Sequence, residues 1–242
     1  MLLLDVGNSR CKWARIENGV WTHEGVAGNT EWLALQHNFD LLSAPSRIII
    51  SNVGGAAMAQ RLQNICSRWP VPVEFVVARN EQCGVVNAYG NPAQLGSDRW
   101  AALIAAWQHF RQACLVVSCG TATTVDALSD AGEFVGGLIV PGITLMQQSL
   151  LQNAAQLQKV DGSVRDFPRN TADAIHSGIV CATVGAVEHQ HVLLKSFSSA
   201  ETITCVLSGG AAGQIEKYLG MPVKRVDNLV LEGLKIIGEA SA

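Results

Sequence analysis

Two short stretches of this chain combine the residue types that suit phosphate chemistry, and each follows an apolar run. The first is DVGNS at residues 5–9, and the second is GTATT at residues 120–124. Glycine lets backbone N–H groups approach a phosphate without interference from a Cβ atom, and amide or hydroxyl side chains add further donors. Both stretches therefore favour a phosphate-binding turn, although DVGNS on its own fits a plain tight turn equally well.

Asp5 and a third glycine turn extend this interpretation toward a nucleotide. Asp5 ends the first apolar run, where a carboxylate is placed to hold Mg²⁺ directly or through water, because Mg²⁺ prefers one or two carboxylates plus phosphate oxygens. The third turn, LSGGAA at residues 207–212, is placed to pass beneath a base or ribose, although alone it is typical of a simple strand-to-helix turn. None of the three turns has a Walker A or GxGxxG pattern.

The segment YGNPAQLGSDRW, residues 89–100, contains a candidate acceptor site. Its proline and glycines end any regular element before a helix that is predicted to begin near Asp98. A carboxylate at this point is suited to take a proton from an attacking hydroxyl, and Arg99 is suited to bind a substrate carboxylate with its forked donors. An N-cap aspartate beside a solvent-facing arginine explains the same residues, and residue type alone does not separate the two interpretations.

Composition narrows the class of ligand. The 242 residues carry a formal net charge of −3, with 15% charged and 48% hydrophobic residues, so the chain offers no basic stripe for nucleic acid. The seven cysteines form no CxxC pair, which predicts neither a disulfide framework nor a zinc site and suits a reducing cytoplasm. No uninterrupted apolar run is long enough to span a membrane. We therefore expect a soluble, cytoplasmic protein with a small-molecule ligand.

Apolar periodicity predicts that these turns belong to two similar α/β halves. Laying Leu2 on Leu115 aligns Asp5 with Ser118, Gly7 with Gly120 and Gly19 with Gly132 without a gap. The constant offset indicates a duplicated hairpin unit and two domains, residues 1–112 and 113–242. Two unrelated amphipathic hairpins also align over so short a window, and alternation alone does not exclude that.

The predicted elements follow the same plan in each half. In the first half, we expect strands over 2–7, 11–19, 47–53 and 73–78 and helices over 31–42 and 56–69. In the second half, we expect a hairpin over 114–140, strands over 204–210 and 223–226, and helices over 143–157, from Thr171 toward 197, and over 229–240. Asn170 is the predicted cap of the helix that begins at Thr171.

Taken together, these motifs resemble those of the type III pantothenate kinase family, also described as the Bvg accessory factor family. The stretches that carry the resemblance are DVGNSRCKWA, YGNPAQLGSDRW, GTATTVD, GGLIVPG and LSGG, in this order along the chain. The resemblance implies an α/β fold of two tandem ribonuclease H-like, or actin-like, domains. Each would have a mixed five-stranded sheet flanked by helices, with a ligand cleft between the domains.

The resemblance also implies an activity and a set of site residues. The reaction would transfer phosphate from ATP to the 4′-hydroxyl of pantothenate, the first step of coenzyme A synthesis, with Asp5 as the Mg²⁺-linked carboxylate and Asp98 as the general base. The remaining residues fall into two groups. The implied ATP-binding residues are Asp5, Gly7, Asn8, Ser9, Lys12, Gly120, Thr121, Thr123, Gly209 and Gly210. The implied pantothenate-binding residues are Tyr89, Gly96, Asp98, Arg99 and Thr171.

Two residues depart from the family's pattern. Ser97 stands in a tetrad that usually reads Gly-Ala-Asp-Arg, which leaves the aspartate and arginine in place. Ser118 replaces an acidic residue that many members have, and that residue is associated with a monovalent cation, potassium or ammonium. The resemblance therefore implies Mg²⁺ with ATP, while Ser118 puts the monovalent cation in doubt.

The resemblance further implies a homodimer in which the partner subunit completes the pantothenate site through Thr171. The alternative function is a weakly active or non-catalytic regulator of the same fold that binds a nucleotide or metabolite. Intact Asp5, Asp98 and Arg99 favour the kinase, because a pure binding protein needs no base beside a phosphate site.

Overall fold

A computed structural model describes residues 1–153 and 162–241 of the chain. The chain forms two units, Met1–Phe110 with Asn228–Ala242, and Arg111–Asp227. The break near residue 110 lies two residues before the division expected from the sequence. The segment after Asp227 differs from that expectation, because it belongs with the first unit rather than the second. Among the described residues, no helix has the length and apolar character needed to cross a membrane.

The first unit is built around a mixed sheet with helices on both faces. Its strands are β1 (Leu2–Val6), β2 (Arg10–Glu17), β3 (Val20–Gly28), β4 (Ile48–Asn52), β5 (Val73–Phe75), β6 (Glu81–Gln82) and β7 (Val85–Asn87). Its helices are α1 (Trp32–Asp40), α2 (Ala56–Cys66) and α3 (Ser97–Phe110), with a 3₁₀ turn at Pro92–Gln94. Strand β3 and the short β6 and β7 were not predicted as separate strands.

The sheet of the first unit runs in the order β3-β2-β1-β4-β5, with an antiparallel hairpin side and a parallel side. Alternate residues of β1 face opposite sides of this sheet. Leu2, Leu4 and Val6 pack into a core with residues of α1 and α2. Leu3 and Asp5 face the other side, so the carboxylate of Asp5 is carried by an otherwise buried strand.

The second unit has the same plan. Its strands are β8 (Cys114–Cys119), β9 (Ala122–Leu128), β10 (Glu133–Pro141), β11 (Thr204–Ser208) and β12 (Val223–Arg225). Its helices are α4 (Ile143–Asn153) and α5 (Thr171–Phe197), with 3₁₀ turns at Ala212–Gln214 and Glu216–Tyr218. The last residues of the helix predicted over 143–157 lie outside the described residues. The predicted cap is confirmed, because the side chain of Asn170 accepts a hydrogen bond from the N–H of Asp173 at 2.8 Å.

The two hairpins match each other in detail. The second sheet has seven strands rather than the expected five, and its strands β10-β9-β8-β11-β12 repeat the order β3-β2-β1-β4-β5, with antiparallel and parallel pairs in the same places. Each outer strand pair has a β-bulge at the same position, which skips Thr22 in the first hairpin and Val135 in the second. Shared order and a shared irregularity support the predicted duplication, because bulges disturb the ladder at specific places.

The ungapped alignment, however, fails within the hairpins. Asp5 lies opposite Lys12, whereas Ser118 lies opposite Thr124, so the second tip is one residue shorter than the first. The outer turn of the second hairpin is one residue longer, because Ile16 lies opposite Trp21 and Leu128 opposite Phe134. These two changes cancel, which is why the sequence aligns without a gap while the middle strands are displaced by one residue.

The last helix, α6 (Leu229–Ala240), explains why the end of the chain belongs to the first unit. It packs against α3 so closely that a Cβ atom on Gly233 would lie 1.9 Å from the carbonyl oxygen of Ala101. The imidazole of His109 in α3 and the carboxylate of Glu232 in α6 are also hydrogen-bonded. The glycine therefore permits a helix contact that no other residue type fits without displacement.

Candidate active site

Asp5 lies in a row of polar side chains across three neighbouring strands of the first unit. Lys12 of β2 is directly opposite it on one side, and Ser51 of β4 is directly opposite it on the other. Residues in register on adjacent strands project from the same face of a sheet. The row Lys12–Asp5–Ser51 therefore places a cation, a carboxylate and a hydroxyl side by side at the end of β1.

Asp98 lies in the first turn of α3, as the sequence predicts. One oxygen of its carboxylate, Oδ1, accepts a hydrogen bond from the backbone N–H of Arg99 at 2.8 Å. Gly96 leaves room for this arrangement, because a Cβ atom at that position would lie 2.6 Å from the same oxygen. Gly96 therefore acts by admitting the carboxylate of Asp98, which assigns a physical reason to the glycine of the GSDR tetrad.

The negative charge of Asp98 acts on the carboxyl group of Asp5. Burial, and after it the negative charge of Asp98, raise the pKa of Asp5 to about 7, while Lys12 opposes the shift. Burial also raises the pKa of Asp98, against the effects of the Arg99 N–H and guanidinium group. The structure thus places the two aspartates that the sequence selected within electrostatic range, with Lys12 acting on Asp5 and Arg99 acting on Asp98.

Arg99 and Tyr89 form the other polar part of this unit. Arg99 is only 7% exposed, and its Nη1 donates a hydrogen bond to the hydroxyl of Tyr89 at 3.3 Å. Asn87 in turn fixes the position of Tyr89, because its side-chain oxygen accepts a hydrogen bond from the backbone N–H of Tyr89 at 3.1 Å. The solvent-facing arginine that residue type alone allowed is therefore excluded.

Hydrogen bonds hold the backbone of the first glycine turn in place. The N–H of Gly7 donates to the carbonyl of Arg10 at 3.0 Å, and the side chain of Asn29 donates to the carbonyl of Gly7 at 2.8 Å. Asn8 and Ser9 are exposed. Asn29 was missed in the sequence because it follows an unpredicted strand, although an asparagine beside a glycine is a common sign of a turn.

The second glycine turn is enclosed by two other glycine-containing segments. A Cβ atom on Gly142 would lie 2.3 Å from the carbonyl oxygen of Gly120, and one on Gly209 would lie 2.4 Å from that of Cys119. The N–H of Gly142 also donates to the carbonyl of Thr121 at 2.9 Å. The structure therefore brings Gly209 close to the turn that contains Gly120, and it adds Gly142, the last residue of GGLIVPG, which was not predicted as a site residue.

Side-chain direction separates the threonines of this turn. Thr123 lies opposite Cys119 and is 1% exposed, on the side of the sheet that carries the core of the second unit. Thr124 lies opposite Ser118 and is half-buried. Because neighbouring residues of a strand face opposite sides, Thr123 is directed away from the face that Ser118 and Thr124 share.

Ser118 takes the place of Asp5 in a second polar row. It lies between Thr124 of β9 and Ser208 of β11, so the row contains three hydroxyl groups and no charge. Asp126 lies on the same face, two residues further along β9, and is 1% exposed. Thr171 is exposed in the first turn of α5, and its role toward a partner subunit stays a prediction.

The residues around Asp5 fit Mg²⁺ better than a metal held by protein alone. Within residues 1–153 and 162–241, no group of three or more histidine, cysteine, aspartate or glutamate side chains is placed to hold a metal ion. Mg²⁺ bound with a nucleotide needs only one or two carboxylates, since phosphates and water complete its shell. A buried carboxylate with a raised pKa is also stabilised in its charged form by a nearby cation.

The fold defines the class of protein. The activator of the 2-hydroxyisocaproyl-CoA dehydratase from Clostridium difficile superposes with a TM-score of 0.55 at 11% sequence identity, covering 99% of this chain and 95% of that one. At this identity the likeness shows the fold alone, which is that of the actin-like ATPases and sugar kinases. The five-strand order that the two sheets share agrees with that class.

The sequence comparisons specify the family. Residues 1–192 match the family profile described as type III pantothenate kinase. The type III pantothenate kinase of Nitrosospira multiformis is 46% identical over 242 residues, covering 100% of this chain and 92% of the relative. That of Aromatoleum aromaticum is 44% identical, covering 100% of this chain and 99% of the relative. The chain belongs to the type III pantothenate kinase family.

Proposed function

We propose that this protein transfers the γ-phosphoryl group of ATP to the 4′-hydroxyl of pantothenate, giving 4′-phosphopantothenate and ADP. The family membership supports the substrates. The observation that carries the proposal is the pairing of Asp5, at the end of β1, with Asp98, in the first turn of α3, both with pKa values raised by burial. A carboxylate whose pKa is raised toward neutrality is a better general base than an ordinary one.

In the first unit, Asp98 accepts the proton of the 4′-hydroxyl while the oxygen of that hydroxyl attacks the γ-phosphorus and ADP leaves. Arg99, held by Tyr89, binds the carboxylate of pantothenate through its forked donors. Gly96 keeps space for the Asp98 carboxylate. Gly7, Asn8, Ser9 and Lys12 contact the phosphates. Asp5 would hold Mg²⁺, which supplies charge neutralisation on the phosphates when bound.

In the second unit, Gly120 and Thr121 offer donors to the phosphates, and Gly209 and Gly210 pass beneath the nucleoside. The nucleotide role of this fold is supported by the dehydratase activator, which was solved with bound ADPNP. Thr123 contributes through packing rather than direct contact, because its side chain is buried. Ser118 leaves the second row without a charge, so we propose that a monovalent cation, K⁺ or NH₄⁺, is not required.

The assembly and location form part of the same proposal. A homodimer in the cytoplasm would let Thr171 of one subunit reach the pantothenate of the other. Exposed apolar side chains on the second unit support an association surface, and they include Leu145 and Leu150 of α4 and Phe197 of α5. Sedimentation analysis of the protein should give the mass of a dimer, and a monomer with full activity would remove Thr171 from the substrate site.

The direct test is an ADP-release assay with purified protein, Mg²⁺-ATP and pantothenate, with mass spectrometry of the product. We expect ADP release that depends on pantothenate and a product with the mass of 4′-phosphopantothenate. The Asp98→Asn variant should lose turnover while it still binds ATP. If the wild-type protein binds ATP or pantothenate but shows no turnover, the protein is a regulator of the same fold.

A further inference from the structure

A buried pair of hydroxyl groups lies beside the two carboxylates of the first unit. The Oγ atoms of Ser51 and Ser97 are 2.9 Å apart, so one hydroxyl donates a hydrogen bond to the other. Ser51 is fully buried and Ser97 is 7% exposed. The bond therefore joins β4 to the start of α3 in a place from which water is excluded.

Each serine is adjacent to one of the two carboxylates. Ser51 lies directly opposite Asp5 in the parallel register of β1 and β4. Ser97 is the neighbour of Asp98 in the chain and begins α3. A single hydrogen bond thus connects the strand beside Asp5 with the helical turn that carries Asp98.

Other hydrogen bonds from α3 side chains end on different segments, because Arg99 donates to Tyr89, Trp100 to Gln82 and Gln108 to the carbonyl of Cys83. Most of the remaining buried side chains of α3 are apolar, and they include Leu103 and Ile104. Apolar packing is non-directional, whereas a hydrogen bond restricts both distance and angle. The serine pair is therefore a directional contact that joins the first turn of α3 to the strand beside β1.

We propose that Ser51 and Ser97 are a positioning pair that sets the separation of Asp5 and Asp98, and so aligns the acceptor hydroxyl with the phosphoryl group. This inference rests on the proposed kinase function. Neither serine touches the substrate. They act through the two aspartates, and small changes in the separation of reacting groups are costly in a transfer that depends on alignment.

The test compares Ser51→Ala, Ser97→Ala and the double variant with the wild-type protein. Each single change leaves one buried hydroxyl without its partner, so both should lower the Tm, whereas the double change removes both groups and should restore most of it. In all three variants, kcat should fall by about tenfold while each KM changes by less than about twofold. A kcat loss that persists in the stable double variant is the signature of positioning.

Thr183→Val is the matched control. Thr183 is fully buried, and its hydroxyl donates to the carbonyl of Ile179 at 3.0 Å within α5 of the second unit. This variant should lose stability and keep the wild-type kcat. If the double serine variant also keeps the wild-type kcat, the pair is only structural, and the inference is wrong while the kinase function stands.

A crystal structure of the double variant makes the test independent of turnover. The separation of the Asp5 and Asp98 carboxylates should differ from that in the wild-type crystal structure by more than about 0.5 Å, the tolerance of a catalytic arrangement. An unchanged separation would overturn the inference even if the wild-type protein has no pantothenate-dependent activity. Absence of that activity with a changed separation would refute the kinase function and leave the positioning intact.

Discussion

The two hairpins of this protein share one backbone plan but carry different chemistry at the same place. The first has the row Lys12–Asp5–Ser51, and the second has Thr124–Ser118–Ser208. In the second row, hydroxyl residues replace both the lysine and the aspartate, so this row lacks the pair of opposite charges. The two rows therefore differ in charge, since the first contains a lysine and an aspartate and the second contains only hydroxyl side chains.

The surroundings of the two turns differ as well. Gly7 and its counterpart Gly120 are alike, since a Cβ atom would meet nothing closer than 3.7 Å and 3.6 Å, but the second turn also has the backbones of Gly142 and Gly209 packed against it. The first turn is also one residue longer. Hydrogen bonds therefore hold both turns, and the second turn is in addition enclosed by the backbones of two glycines.

The largest expected effect comes from making the first row resemble the second. Asp5→Ser should lower kcat by about 10³-fold, because it removes the carboxylate that is proposed to hold Mg²⁺ for the phosphates. Ser118→Ala, the matched change in the second hairpin, should lower kcat by less than about fivefold. Steady-state kinetics on both variants provides the measurement. Similar losses at the two positions would show that the hairpins share the charged role.

The next largest effect concerns the second glycine turn, which the backbones of Gly142 and Gly209 enclose. Gly142→Ala should destabilise the protein by about 3 kcal/mol, since the added methyl group meets the backbone of Gly120 rather than a flexible side chain. Gly7→Ala should cost less than about 1 kcal/mol, because its methyl group has space. Chemical denaturation measures both values. Equal costs would contradict the difference in packing between the two turns.

The pH dependence of protein stability tests whether burial disfavours the charged form of Asp5. Because the pKa of Asp5 is raised from 3.8 to about 7 in the folded protein, the folded state binds more protons than the unfolded state between these values. Stability should therefore fall as pH rises through this window. Without Mg²⁺, Asp5→Asn should be more stable than the wild type at pH 8 by about 2 kcal/mol, and similar to it near pH 4.

Thermal unfolding of the two proteins at both pH values measures this difference, with Ser118→Asn as the control at the uncharged row. If Asp5→Asn is less stable than the wild type at pH 8, the folded protein stabilises the charged carboxylate, and the expected effect of burial is wrong.

The smallest expected effect concerns monovalent cations. With no carboxylate in the second row, the wild-type kcat in sodium, potassium and ammonium buffers should agree within about twofold. Ser118→Asp restores a hard anionic ligand and should introduce a preference for potassium or ammonium. A strong potassium or ammonium dependence of the wild type would mean that other groups, such as the buried Asp126 on the same face, serve the cation.

Local patterns were sufficient to identify much of this molecule. The alternation of Leu2, Leu4 and Val6 predicts β1, the motifs around Asp5 and Asp98 predict the two carboxylates of the site, and Asn170 predicts the start of α5. These signals are readable because each depends on residues that are close together in the chain. Strand β3 was not separated from its neighbours because its burial pattern is irregular and mostly exposed.

Local patterns do not predict contacts between residues that are far apart in the chain. The sequence alone determined the duplicated plan, the glycine turns and the aspartates, because spacing and residue type express them directly. Only the tertiary structure decided that α6 returns to the first unit, that Gly142 encloses the second turn, and that Ser51 meets Ser97. The physical reason is that these contacts depend on the register of strands and on the approach of helices. A shift of one residue in a strand changes the register, yet the ungapped alignment of the two hairpins shows no sign of such a shift.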